Sequence, residues 1–188
     1  HIYFARGEID RGVNCFSKGI FAGEDGSENV SQVLNLSYSL LYKERYQEAL
    51  ATLTFLGETS DYGTMFEKQI KACASHELGQ IEDAEVHLAY LVENKDDSPG
   101  ALQHTYFCME REDDAAALLV ERLADPVQSE RALANMHATS LDPAATAFQR
   151  RMFETEARVI ARPEVQAAAA KVGQIITLPG YDTYWGGF

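Results

Sequence analysis

Leu78-Gly79-Gln80-Ile81-Glu82-Asp83-Ala84-Glu85-Val86-His87-Leu88-Ala89-Tyr90-Leu91 is the stretch whose reading decides the fold. It reads as the end of one helix, a tight turn at Gly79 and the start of a second helix. In that second helix Ile81, Ala84, Leu88 and Leu91 recur at the three- and four-residue spacing of an amphipathic helix. Ala84 is small enough for a neighbouring helix to come close, and Leu88 and Leu91 fill the space beside it. Weaker copies recur on both sides, so a stack of helical hairpins is expected.

Outward from this unit, the same spacing predicts a helix over 8–21 with Val13, Phe16 and Ile20 inward, and one over 28–43 that is apolar around most of its circumference. Tyr46, Ala49, Leu50, Leu53 and Leu56 predict a helix ending at Gly57. Thr64 with Glu67 is a capping-box pattern, so the next helix is expected to start there and run to Leu78. Ser98-Pro99, Asp125-Pro126 and Asp142-Pro143 each pair a capping residue with proline at the first helical position, where its missing amide hydrogen costs nothing. Arg162-Pro163 is a weaker fourth case. They predict helices over 99–109, 126–139, 143–161 and 164–172, with another over 112–124. Ile175-Ile176-Thr177-Leu178 is the one β-like run, too short to predict a strand.

Small residues in the second helix of each pair set a period. Gly12, Ala49, Ala84 and Ala116 stand 37, 35 and 32 residues apart, with Phe16, Leu53, Leu88 and Val120 four positions further on. Ile9, Tyr46 and Ile81 stand three positions before, where Asp113 breaks the pattern. Val33, Leu36, Ser37 and Leu40 add a large, large, small, large order in the first helix of the second unit. This spaced set resembles the tetratricopeptide repeat, a helix–turn–helix unit of about 34 residues. The early aromatic common in that family is absent, no unit ends in its usual proline, and the first helices of the third and fourth units match poorly. The resemblance covers residues 1–124, the first repeat being truncated. It implies an all-α fold: a short right-handed α-solenoid, because one hairpin cannot bury its own apolar face. Residues 125–174 are expected to form a degenerate helical pair and a capping helix, and 175–188 an aromatic C-terminal tail.

The chain has 188 residues and a net charge of −13. Residues 1–144 hold 11 Lys/Arg against 25 Asp/Glu, so that part carries −14. Such a surface repels phosphate backbones, which speaks against nucleic acid, and steers basic or mixed-charge partners inward. No run reaches the ~20 apolar residues of a membrane span, so membrane insertion is not expected. No secretory leader is visible, and His1-Ile2-Tyr3-Phe4-Ala5-Arg6 reads as the tail of a helix cut by a fragment boundary. Cys15, Cys73 and Cys108 are odd in number and widely spaced, neither a disulfide framework nor a zinc pattern. Each is expected to act as a small hydrophobe in a reducing, cytoplasmic setting.

Residues for chemistry are few. No Gly-rich phosphate loop or Gly-x-Ser-x-Gly is present, and His76-Glu77 lacks the second histidine of a zinc-protease helix. His76, His87, His104 and His137 never pair at ligand spacing, so neither metal nor cofactor is expected. Glu82, Asp83 and Glu85, like Glu110, Glu112, Asp113 and Asp114, sit at helix starts where carboxylates favour the dipole. The expectation is a non-enzymatic protein–protein interaction module, scaffold or adaptor, within a larger regulatory or assembly protein. The alternative is a peptide or small-ligand sensor region controlling an attached output domain. The resemblance implies that a protein or peptide segment binds the concave face lined by first helices. Carried over by position, its candidates are Tyr38, Leu41 and Tyr42, then Gln69, Cys73 and His76, then Thr105, Cys108 and Met109. The tail carries Tyr181, Tyr184, Trp185 and Phe188. It reads as a seal on the last helices, Trp185 lying against Ala167–Ala170. The alternative is docking into a groove, its own or a second copy's, which would give a homodimer through the tail.

Overall fold

The computed structural model describes residue 3, residues 8–20 and residues 30–181, the side chains of 138, 139 and 178–181 excepted. Within these the chain is built of helices: α1 Ile9–Ile20, α2 Val30–Tyr42, α3 Tyr46–Thr52, α4 Asp61–Glu77, α5 Ile81–Glu93, α6 Pro99–Cys108, α7 Glu112–Ala124, α8 Ser129–Asn135, α9 Ala147–Ile160 and α10 Pro163–Val172. A single 3-10 turn, Leu53–Phe55, follows α3 and takes up residues expected to continue it. No described helix is long and apolar enough to cross a membrane. The chain divides into two compact units, residues 1–105 and 106–188, the boundary falling inside α6.

In the first unit α1 packs on α2, α2 on α3 and α4, α3 on α4, and α4 on α5. The small residues Gly12, Ala49 and Ala84 are all buried, as their spacing required, and so is Ala116 of the second unit. Polar groups pin the packed faces. Ser37 Oγ donates to the Ala49 carbonyl at 2.6 Å, joining α2 to α3, and Tyr46 Oη donates to Glu77 Oε2 at 3.0 Å, joining α3 to the end of α4. Arg45 binds Glu48 through two nitrogens, at 2.7 and 2.6 Å, and reaches Asp10 at 2.9 Å.

One turn geometry recurs. At Gly79 the backbone is left-handed (φ +74°), Gly79 N–H donates to His76 O at 3.0 Å, and Gln80 N–H donates to Ser75 O at 2.9 Å. This is the Schellman ending, which satisfies carbonyls the helix leaves orphaned. Glu44 (φ 61°) and Glu110 (φ 55°) repeat it, with Arg45 N–H on Leu40 O at 2.9 Å and Arg111 N–H on Tyr106 O at 2.8 Å. Each left-handed residue is followed by one of near-identical backbone (Arg45, Gln80, Arg111), and then by the next helix at Tyr46, Ile81 or Glu112. Residues 44, 79 and 110 thus mark three copies of one corner.

Helix starts depart from expectation where another group offered a better cap. α4 begins at Asp61, since Ser60 Oγ accepts from Gly63 N–H at 3.2 Å; Thr64 lies inside the helix, its hydroxyl 2.7 Å from that of Thr59. Asp125 and Asp142 do not cap helices at Pro126 and Pro143. Their carboxylates accept from Val127 and Ala144 N–H at 2.7 and 2.8 Å, closing local turns that delay the helix. α9 begins after Thr146, its N-cap, where a reciprocal capping box with Gln149 satisfies two amides. Pro99 and Pro163 start their helices as expected.

In the second unit α7 packs against α8, α9 and α10. The carboxylates at its first turn are bridged by arginines of the later helices: Arg158 to Glu112 at 2.7 Å and Arg162 to Asp113 at 2.7 Å. The unit also holds a feature that was not expected. Ala138–Ser140 (β1) pairs in parallel with Thr177–Tyr181 (β2), with an irregularity between Ala138 and Ser140. β1 ends what was expected to be a helix over 126–139. Parallel strands need a long crossover, which α9 and α10 supply. Of the tail, residues 182–188 lie outside the described residues, as does the expected seal or homodimer contact.

Candidate docking surface

Most of the nine candidate residues are inside the protein. Tyr38, Leu41, Gln69, Cys73 and Thr105 of the first unit are buried, as are Cys108 and Met109 of the second. Only Tyr42 and His76 keep intermediate exposure. The set therefore divides into seven buried side chains and two of intermediate exposure.

Three of these residues explain one another, with His104 beside them. Tyr38 on α2 points into the first unit, where Gln69 Nε2 of α4 donates to its hydroxyl at 2.6 Å and His104 Nδ1 of α6 lies 3.4 Å away. Its ring stacks on Tyr42, centroids 5.0 Å apart, one helical turn on. Burial pushes the Tyr38 phenol up to about 12, against smaller opposing effects of its hydrogen bonds to Tyr42 and Gln69. A phenol held neutral this firmly is a structural hydrogen-bond group, not a base at neutral pH. Thr105 bonds back to the Ala101 carbonyl at 2.9 Å.

The cysteines correct a sequence reading. Cys73 and Cys108 are each disulfide-bonded, and Cys15 is free and exposed rather than a buried hydrophobe. Among the described residues no group of three or more His, Cys, Asp or Glu could hold a metal ion. His87 is half-buried, and burial, helped by Lys68 and Lys71, holds its imidazole below the usual value. His137 Nδ1 lies 3.4 Å from the Ile176 amide, beside the strand pair. The acidic residues Glu82 and Asp83 of α5 and Glu112, Asp113 and Asp114 of α7 do occupy first turns, where they favour the helix dipole.

The surface that does stand open is the outer face of α5. Its inner stripe is Ala84, Leu88 and Leu91. Ile81, expected in that stripe, is instead 50 % exposed, with Val86 at 67 % and Val92 at 47 %. Val86, Ala89 and Val92 follow one another at three-residue steps and form a second, solvent-facing apolar stripe. Glu82, Asp83 and Glu93 are exposed beside it. The stripe was legible in the sequence as apolar residues left over once the inner face was assigned.

No family model, no curated protein and no solved structure matches the chain.

Proposed function

We propose that the protein is a non-catalytic docking module of tetratricopeptide-like hairpins, arranged as a short right-handed solenoid, and that it binds a basic amphipathic protein segment. The observation that carries the reading is the apolar outer stripe of α5 set among exposed carboxylates. Apolar residues in such a row gain by being covered, and the flanking acids select a partner that interleaves Lys or Arg with apolar residues. The three equivalent corners at 44, 79 and 110 and the buried small residues support the hairpin repeat. The docking face moves from the first-helix groove to the second helix of the third unit, because the groove candidates are buried. Two oxidised cysteines favour an oxidising compartment over the cytoplasm inferred from three free thiols.

The test is fluorescence anisotropy with a labelled, helical Lys/Leu amphipathic peptide, titrated against wild type and against Val86→Ser/Val92→Ser. Both positions are solvent-facing, so the double variant keeps its fold. Binding to wild type that weakens with salt and falls about tenfold or more in the double variant supports the reading. Equal binding to both proteins, or none to either, refutes it.

A further inference from the structure

Among the described residues most arginines are engaged with oxygen. Arg11, Arg45, Arg151, Arg158 and Arg162 pair with carboxylates, and Arg150 donates to the Pro143 carbonyl. Arg111 has a partner as well. Among the described residues only Arg122 and Arg131 have no hydrogen bond or ion pair, and both belong to the second unit. Arg122 stands near the end of α7 and is only 4 % exposed, with Nε enclosed and lacking an acceptor. Arg131 is exposed on α8, which packs against α7.

This is a costly arrangement. A buried charge without a counter-charge is among the more destabilising things a fold can contain, and a guanidinium cannot relieve it by losing its proton. Burial and then the charge of Arg131 both disfavour the Arg122 cation. Among the described residues a carboxylate stands against five other arginines and none against this pair. A Leu or Met at position 122 would fill the same space without the penalty. What a forked, buried guanidinium on a helix packed against one that carries a second, exposed guanidinium does well is grip two oxygens of an anion.

We propose that Arg122 and Arg131 form an anion site that takes a small oxyanion, a carboxylate or a phosphate group on a small molecule. Arg122 is the fixed, desolvated fork, and Arg131 closes from the solvent side. The site is independent of the α5 docking face and can hold or fail separately from it.

Thermal melting and isothermal titration at matched ionic strength test it, with inorganic phosphate and succinate as probes and chloride as reference. Arg131→Gln and Arg122→Met are run beside wild type. Phosphate strengthens burial in any protein by exclusion from its surface, so the difference between proteins is the readout. The expected result is a rise of the wild-type midpoint with at least one oxyanion, with affinity about tenfold weaker in Arg131→Gln and binding lost in Arg122→Met. Response to phosphate alone or to succinate alone identifies the oxyanion. Should Arg122→Met not fold, Arg131→Gln decides the matter, since that residue is at the surface. A wild type that answers no oxyanion beyond chloride, or an Arg131→Gln protein that answers as wild type does, overturns the proposal.

Discussion

Replacing Gly79 by alanine, and Glu44 by glycine, sets two reciprocal changes on equivalent corners. A Cβ built at Gly79 meets nothing within 4 Å, so the effect of Gly79→Ala is confined to its backbone, held at φ +74°. An L side chain in that region loses roughly 1–2 kcal/mol. Restricting the unfolded chain returns about half a kcal/mol, leaving a net loss of about 1 kcal/mol. For a chain of this size that is a fall of about 3 °C in Tm. Glu44 sits in the same conformation (φ 61°) with a Cβ already present. Glu44→Gly therefore relieves the strain, offset by the interaction that Glu44 makes and by the freer unfolded chain, and changes stability by less than Gly79→Ala does. Urea unfolding followed by circular dichroism measures both. The reasoning is refuted if Gly79→Ala is neutral or stabilising, or if Glu44→Gly destabilises as much as Gly79→Ala.

Alkylation of the native protein followed by mass measurement should add one label, at Cys15, and reduction in denaturant should raise this to three, because Cys73 and Cys108 are bonded. Tyr38 should make stability fall at high pH. Its folded value, about 12, lies above the unfolded value of 10.0, so its contribution is whole below pH 10 and is lost between 10 and 12. Melting curves across that range should fall less steeply for Tyr38→Phe than for wild type. Thr146→Ala should cost about 1 kcal/mol by removing the capping box of α9, and Asp142→Ala less than half of that. The reverse order in urea unfolding would return the helix start to Pro143.

What could be read from the sequence was what local pattern controls. The hairpin around Gly79, the burial of Gly12, Ala49, Ala84 and Ala116, and the bounds of the helix at 112–124 all follow from periodicity and small-residue spacing. The misreadings arise where two local solutions compete or where the partner lies far along the chain. Asp125 and Asp142 could cap a helix or close a turn, and only geometry shows that each did the second. Tyr38 and Tyr42 are groove candidates by position alone, and nothing in α2 reveals that Gln69, 31 residues away, hydrogen-bonds to the Tyr38 hydroxyl. β1 read as helix because its partner strand lies beyond two intervening helices.

The parallel pairing of β1 with β2 has a consequence for the order in which the second unit comes together. Ala138 and Thr177 begin as the two ends of a long loose segment, and drawing such ends together before anything else has formed is entropically unfavourable. Once α9 and α10 have wound and packed against α7, the segment is already short and the ends lie near each other. The strand ladder is therefore the part expected to close last and open first.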